Sequence, residues 1–223
     1  MEYYVIDMVK EEKHIIEVCC TGNLGRSPMA EVIGNHTVVD MGLEGKIGFI
    51  SSGILVDPKY DKNIPYCEVV SILDKASKND LVEKIDVIEE KYNKDPDYRE
   101  IIEKRARVAL EIMRPIEAAL RTAALYNKFN INLSDRKRCQ TVVREDVSVI
   151  LGMEERHVRF VKKMYEGGEN TPTITTITRY AGFGGEIPVA FGKTNPKVYV
   201  DIGNKLEEIM PKVVLRFKEE KNL

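Results

Sequence analysis

Tryptophan is absent from this 223-residue chain and cysteine occurs only four times. Four cysteines without framework spacing, two of them adjacent, exclude a disulfide-stapled scaffold and point to a reducing, cytoplasmic setting. No run approaches the ~18 apolar residues of a helical membrane span, and the N-terminus lacks a signal-peptide pattern. Neither sign of charge is in excess. Lys and Arg number 34 against 36 Asp and Glu, a net of -2, so there is no electrostatic case for nucleic acid or an anionic membrane as partner. No motif calls for a metal or a cofactor. The length allows one domain with a sizeable core, or one domain with a large insertion.

What the chain does have is one dense stretch, Ile15-Ile16-Glu17-Val18-Cys19-Cys20-Thr21-Gly22-Asn23-Leu24-Gly25-Arg26-Ser27-Pro28-Met29-Ala30. A short apolar run ends in a cysteine, a loop with two glycines follows, and Ser-Pro opens a helix. Glycines let such a loop curl so that successive backbone N–H groups face an anion. Ser27 suits an N-cap and Pro28 the first helical position. The helix N-terminus adds partial positive charge, which favours a thiolate on Cys20. Arg26 supplies a planar fork matched to two phosphate oxygens. Thr21, Gly22, Asn23, Leu24, Gly25, Arg26 and Ser27 are therefore the candidate phosphate-binding residues, with Cys20 and Arg26 as the catalytic candidates.

The run Val18 to Glu31 resembles the signature of the low-molecular-weight protein tyrosine phosphatases, whose fold is shared by one class of arsenate reductases. The resemblance implies that Cys20 attacks phosphorus and forms a phosphocysteine, that Arg26 binds the phosphoryl oxygens, and that Asn23 and Ser27 hold the loop and assist the thiolate. Many relatives carry a second cysteine where this chain has Gly25, so no disulfide within the loop is expected. Ser51-Ser52-Gly53 extends the match. The partner implied is a phosphorylated protein or a small phosphomonoester, with phosphate or sulfate able to occupy the loop.

Along the chain, residues 1–13 are expected to form a short lead-in, with Tyr3 to Met8 packing on the body. His14–Cys20 and Lys46–Ser52 read as strands, with a helix from Pro28 to about Val39 between them. Residues 60–114 exceed what a compact relative needs and read as a helical insertion: Cys67–Ser77, Asp80–Tyr92 and Asp97–Arg114 are helix candidates. Pro115 is expected to kink or end the third, before a further helix from Ile116 to Phe129. Such an insertion thickens the domain, caps the site or forms a dimer surface. Asp146–Met153 reads as a third strand, Glu154 to Met164 as a helix, and Thr171–Thr178 as a fourth strand. Pro196 to about Lys218 forms the last helix. His157 is expected to be a helix-surface or N-terminal packing residue rather than a catalyst. The alternation predicts a single α/β domain, a three-layer sandwich with a four-stranded parallel sheet, and a ligand at the carboxyl ends of the strands.

Phosphoryl transfer to a thiol also needs a proton for the departing oxygen. In the resembling phosphatases this comes from an Asp in an Asp-Pro-aromatic loop before the last helix. Here the stretch reads Glu186-Ile187-Pro188-Val189-Ala190-Phe191-Gly192, with Val189-Ala190 in the place of Asp-Pro. Asp57-Pro58 and Asp95-Pro96 lie in other segments, and Glu186 or Asp201 are the candidate substitutes. The absence leaves three activities open: a slow phosphatase, a phosphate- or phosphoprotein-binding module, and a thiol-dependent arsenate reductase drawing on Cys67 and Cys139.

Overall fold

The computed structural model describes residues 13–56, 66–129, 137–189, 193 and 195–223. The expectations for Tyr3–Met8, Asp57-Pro58 and Ala190 lie outside these residues. Strand β1 (His14–Cys20) leads into helix α1 (Arg26–Asp40), then β2 (Ile47–Gly53). Helices α2 (Tyr66–Ser77), α3 (Glu89–Lys94) and α4 (Pro96–Phe129) follow, then β3 (Val147–Gly152), α5 (Glu155–Met164), β4 (Thr173–Thr176), α6 (Ile177–Tyr180) and α7 (Pro196–Lys221). The four strands form one parallel sheet in the order β2-β1-β3-β4.

β1 is apolar at nearly every position because both of its faces are covered, as parallel strands require. Ile16, Val18 and Cys20 face one core, with Met29 and Ile33 of α1 and Ile202, Leu206 and Val213 of α7. Cys19 faces the other, with Val69 and Leu73 of α2, Ala106 and Met113 of α4, and Val158 and Val161 of α5. The adjacent cysteines therefore point to opposite sides of the sheet, as period-two alternation dictates. Glu17 is the exception in the strand. Its carboxyl is buried, one oxygen accepts from the Ser52 hydroxyl, and Oε2 has no partner among the described residues. Burial pushes this carboxyl above the usual range, against the pull of the Ser52 bond.

The segment between β2 and β3 is helical, but not where periodicity alone put each helix. Residues 83–88 carry no helix, and only Glu89–Lys94 forms one. Asp80 adopts φ 55°, the left-handed region in which a helix cannot continue, and Val82, Ile85 and Val87 beyond it pack on the second core in a non-helical path. Pro115 does not end a helix either, for α4 runs through it over 34 residues. A proline inside a helix costs ~3 kcal/mol. Here the ring lies on the exposed face, while Met113, Ala118, Arg121 and Leu125 are buried on either side of it and hold the helix on course. The N-terminal half of α4 belongs to the second core, and Leu125 near its end belongs to the first, against α7.

β1 lies between β2 and β3, so the connections leaving β1 and β3 diverge. The crevice at their carboxyl ends is the place where open α/β sheets bind ligands. The loop 20–26 follows β1 there, and Met153-Glu154 follows β3.

Candidate active site

The side chains of Asn23, Ser27 and Ser51 hold the loop after β1. Asn23 takes φ 50°, a conformation that asparagine tolerates better than most residues, so the sharp bend falls on it rather than on Gly22 or Gly25. Its amide nitrogen donates to the hydroxyls of Ser27 (3.1 Å) and Ser51 (2.8 Å), and its oxygen accepts from the Cys139 N–H (2.9 Å). One buried amide thus ties the loop to the start of α1, the end of β2 and the segment before β3. Gly53 lets the loop lie this close: a Cβ there would come within 2.6 Å of the Asn23 nitrogen and 2.8 Å of the Thr21 oxygen. The backbone N–H groups of Ile54 and Leu55 donate to the carbonyls of Cys20 (3.0 Å) and Thr21 (2.8 Å), fixing the loop's base.

Ser27 is not the N-cap that its position suggested. α1 begins at Arg26, with Gly25 at the cap and no side-chain capping bond. Instead the Ser27 hydroxyl approaches two acceptors, the Cys20 Sγ (3.0 Å) and the Ser52 carbonyl (3.0 Å). Gly22, Asn23, Leu24 and Gly25 are all buried, and no hydrogen bond among the described residues is donated by their N–H groups. Buried backbone donors are almost always paired in native proteins. Four in succession, beside a cysteine and an arginine, are able to receive an anion.

Arg26 is buried and tethered at one corner. Its Nη1 donates to the Ile187 carbonyl (3.0 Å) and pairs with Glu154, while Nε and Nη2 make no bond among the described residues. That leaves one edge of the guanidinium, two parallel N–H donors, for a bidentate contact. Burial raises the Glu154 carboxyl, but the charges of Arg26 and Arg156 outweigh it and pull the group down to about 2. Glu154 is therefore a permanent anion at neutral pH and no proton donor.

His157 is fully buried rather than on the helix surface, and it reaches the loop. Its Nδ1 accepts from the Glu154 N–H (3.1 Å), which places the ring proton on Nε2, the donor toward the Thr21 hydroxyl (3.0 Å). Burial and the Arg26 charge lower its pKa to about 3, so the ring is neutral near pH 7. Sequence reasoning missed Glu154 and His157 as neighbours of the loop. Their one signal was the order of strand, Met and His after β3.

The depressed values predict an acid dependence of stability. Between pH 6.5 and about 3 the unfolded chain binds a proton at His157 that the folded chain refuses, so stability falls as pH falls. Glu154 acts in the same direction from about 4.5 down to about 2, and Glu17, whose pKa is raised, acts in the opposite one. Denaturant midpoints measured from pH 7 to 5 should therefore drop less steeply in His157→Gln than in the wild type, whose slope approaches but does not exceed ~1.4 kcal/mol per pH unit from this one group. Equal slopes would mean that His157 already titrates normally in the fold.

The residues considered as replacement acids are engaged elsewhere. Glu186 accepts from the Glu155 N–H at the start of α5 (2.7 Å), and Asp201 pairs with Lys197 on the exposed side of α7 (2.7 Å). Val189 is half-buried two residues beyond Ile187, whose carbonyl Arg26 holds. Cys67 and Cys139 are both exposed.

Residues 15–76 match the family model described as low molecular weight phosphotyrosine protein phosphatase. No curated protein sequence matches the chain. Among solved structures, a low-molecular-weight protein tyrosine phosphatase from Bacillus subtilis superposes with a TM-score of 0.56 at 18% identity, over 93% of this chain and 99% of that one. The enzyme of the same name from T. tengcongensis gives 0.52 at 18% identity, over 92% and 99%. The YwlE arginine phosphatase, in a form with a phosphorylated active-site serine, gives 0.55 at 18% identity, over 94% and 98%. At such identities the likeness is one of fold.

Proposed function

We propose that this chain, which shares the fold of low-molecular-weight protein tyrosine phosphatases and matches their family model over residues 15–76, is a cysteine-dependent phosphatase that works on phosphomonoesters with stable leaving groups. The observation that carries this reading is the loop itself: Ser27 donates to the Cys20 sulfur beside four unpartnered buried N–H groups and the free edge of Arg26. Cys20 attacks phosphorus as the thiolate, and the bond to the leaving oxygen breaks. The three equatorial oxygens rest on the loop N–H groups and on Nε and Nη2 of Arg26, which are positioned before the charge develops. Water then cleaves the S–P bond, releasing phosphate and restoring the thiolate. That a solved structure of like fold carries phosphate on its active-site serine supports this use of the loop.

The leaving oxygen sets the substrate class. Val189 stands where the superfamily carries its acid, and Glu154 is ionised and held by Arg26, so the proton must come from water. Aryl and acyl phosphates, phosphotyrosine included, release an oxygen that leaves as an anion more readily than an alkoxide does. Phosphoarginine fits less well, because its nitrogen must be protonated to depart.

Phosphate titration by calorimetry tests the anion site apart from turnover. Arg26→Ala is expected to weaken phosphate binding by about 10- to 100-fold, the loss of a charge-assisted bidentate contact. That variant leaves Glu154 buried without its main partner, so it is best made together with Glu154→Gln. Affinity equal to that of the Glu154→Gln single variant would remove Arg26 from the site.

A further inference from the structure

The long helix α4 carries apolar side chains on its solvent side that neither core uses. Ile101, Val108 and Ile112 are 55%, 51% and 40% exposed. With Arg105 they recur at intervals of four, three and four residues, the spacing that brings one line of a helix against another. This seam runs about 16 Å along the helix. Over its N-terminal half lies an open groove of about 500 Å³, lined by the apolar Leu73, Val82, Ile85, Ile101 and Val108 and by the charged Glu83, Lys104 and Arg105. Ile112 lies beyond the groove, one turn further along. The same face thus presents both a hole and a knob, displaced from each other along one helix.

We propose that two copies of this chain pair through α4, antiparallel, with Ile112 of each copy seated in the groove of the other.

A two-fold interface must be self-complementary, since the same patch meets itself. With the axis beside Arg107, Ile101 faces Ile112 of the second copy, and the stem of Arg105 lies against its Val108. The charged row beside the seam obeys the same symmetry. Glu100, Lys104, Arg107, Glu111 and Arg114 read −, +, +, −, + along the helix. Reversed against itself, this row sets Glu100 opposite Arg114 and Lys104 opposite Glu111, each twice. Only Arg107 meets its own kind, and it is paired with Glu103 within its own chain (4.0 Å). Glu111 already holds Arg138 (2.8 Å) and Arg114 (3.5 Å), so Glu100 from the second copy offsets the positive excess of that cluster. A parallel pairing would oppose like charges along the whole row. These charges select the orientation, and the apolar seam supplies most of the attraction.

The seam is shorter than a standard interface, so sedimentation equilibrium of the full chain should show a dimer with a dissociation constant on the order of micromolar. Ile112→Glu, at an exposed position where the fold has little at stake, should raise that constant at least about tenfold. Val39→Glu, an exposed apolar residue of α1 (58%), should leave it unchanged. Glu100→Lys should weaken the dimer, and Glu100→Lys with Arg114→Glu should restore it, a recovery that general loss of folding cannot produce. A chain that stays monomeric up to about 100 μM, well above the expected constant, overturns the proposal. So does a dimer indifferent to both Ile112→Glu and the charge pair, which would place the contact on another face.

Discussion

Cys20→Ser is expected to reduce turnover of an aryl phosphate to background, a loss of at least about 10⁴-fold, since removing a covalent nucleophile has cost on the order of 10⁶ in kcat elsewhere. Cys19→Ala should leave the rate near that of the wild type. The two neighbours differ only in which face of β1 they occupy. Cys20 meets the Ser27 hydroxyl at the mouth of the loop, whereas Cys19 lies in the second core, where burial pushes its thiol well up. Alkylation separates them without any substrate. Iodoacetate, itself an anion, should modify Cys20 faster than the exposed Cys67 and Cys139, although Cys20 is buried, because the loop N–H groups and the open edge of Arg26 draw its carboxylate toward the Cys20 sulfur. Phosphate should protect it. Fast, phosphate-protected alkylation with no turnover would instead favour a phosphate-binding module.

The second large effect is a gain. Val189→Asp, with Ala190→Pro to shape the loop, should raise turnover on substrates with poor leaving groups by ~10² or more, the low end of what a positioned general acid supplies. The rate should at the same time become less dependent on leaving-group pKa. The reason is geometric as well as chemical. The Ile187 carbonyl is bonded to Arg26 at 3.0 Å, so a carboxyl two residues further on starts from a backbone already anchored at the site. Neither Val nor Ala carries a proton, and the nearby carboxyls are committed, Glu154 to Arg26 and Glu186 to the start of α5. If Val189→Asp changes nothing while Glu186→Gln or Asp201→Asn abolishes activity, the acid resides there and the substrate range widens accordingly.

Some of this molecule is determined within a few consecutive residues. A short apolar run, interrupted only by Glu17 between Ile15 and Cys20, specifies β1 and sends Cys19 and Cys20 to opposite sides, because strand periodicity is a local property. The Cys20–Ser27 segment likewise holds its own chemistry: the bend at Asn23, the hydroxyl that reaches the sulfur, and the arginine that closes the loop are all within eight residues. Other features were decided by residues that meet only in the folded chain. Asn23 is locked by Ser51 and Cys139, 28 and 116 positions away, and Gly53 is required because the loop passes over it. Glu154 and His157 come to Arg26 and Thr21 because β3 lies beside β1, a strand order that periodicity cannot state. Pro115 and residues 80–88 went against local expectation in opposite directions. Buried contacts on both sides carried a helix through a proline, while a left-handed Asp80 and packing on the second core kept a periodic stretch out of one. Local propensities are worth about a kcal/mol or less per residue, apart from proline, and each buried side chain is worth more, so where the two conflict the tertiary structure prevails.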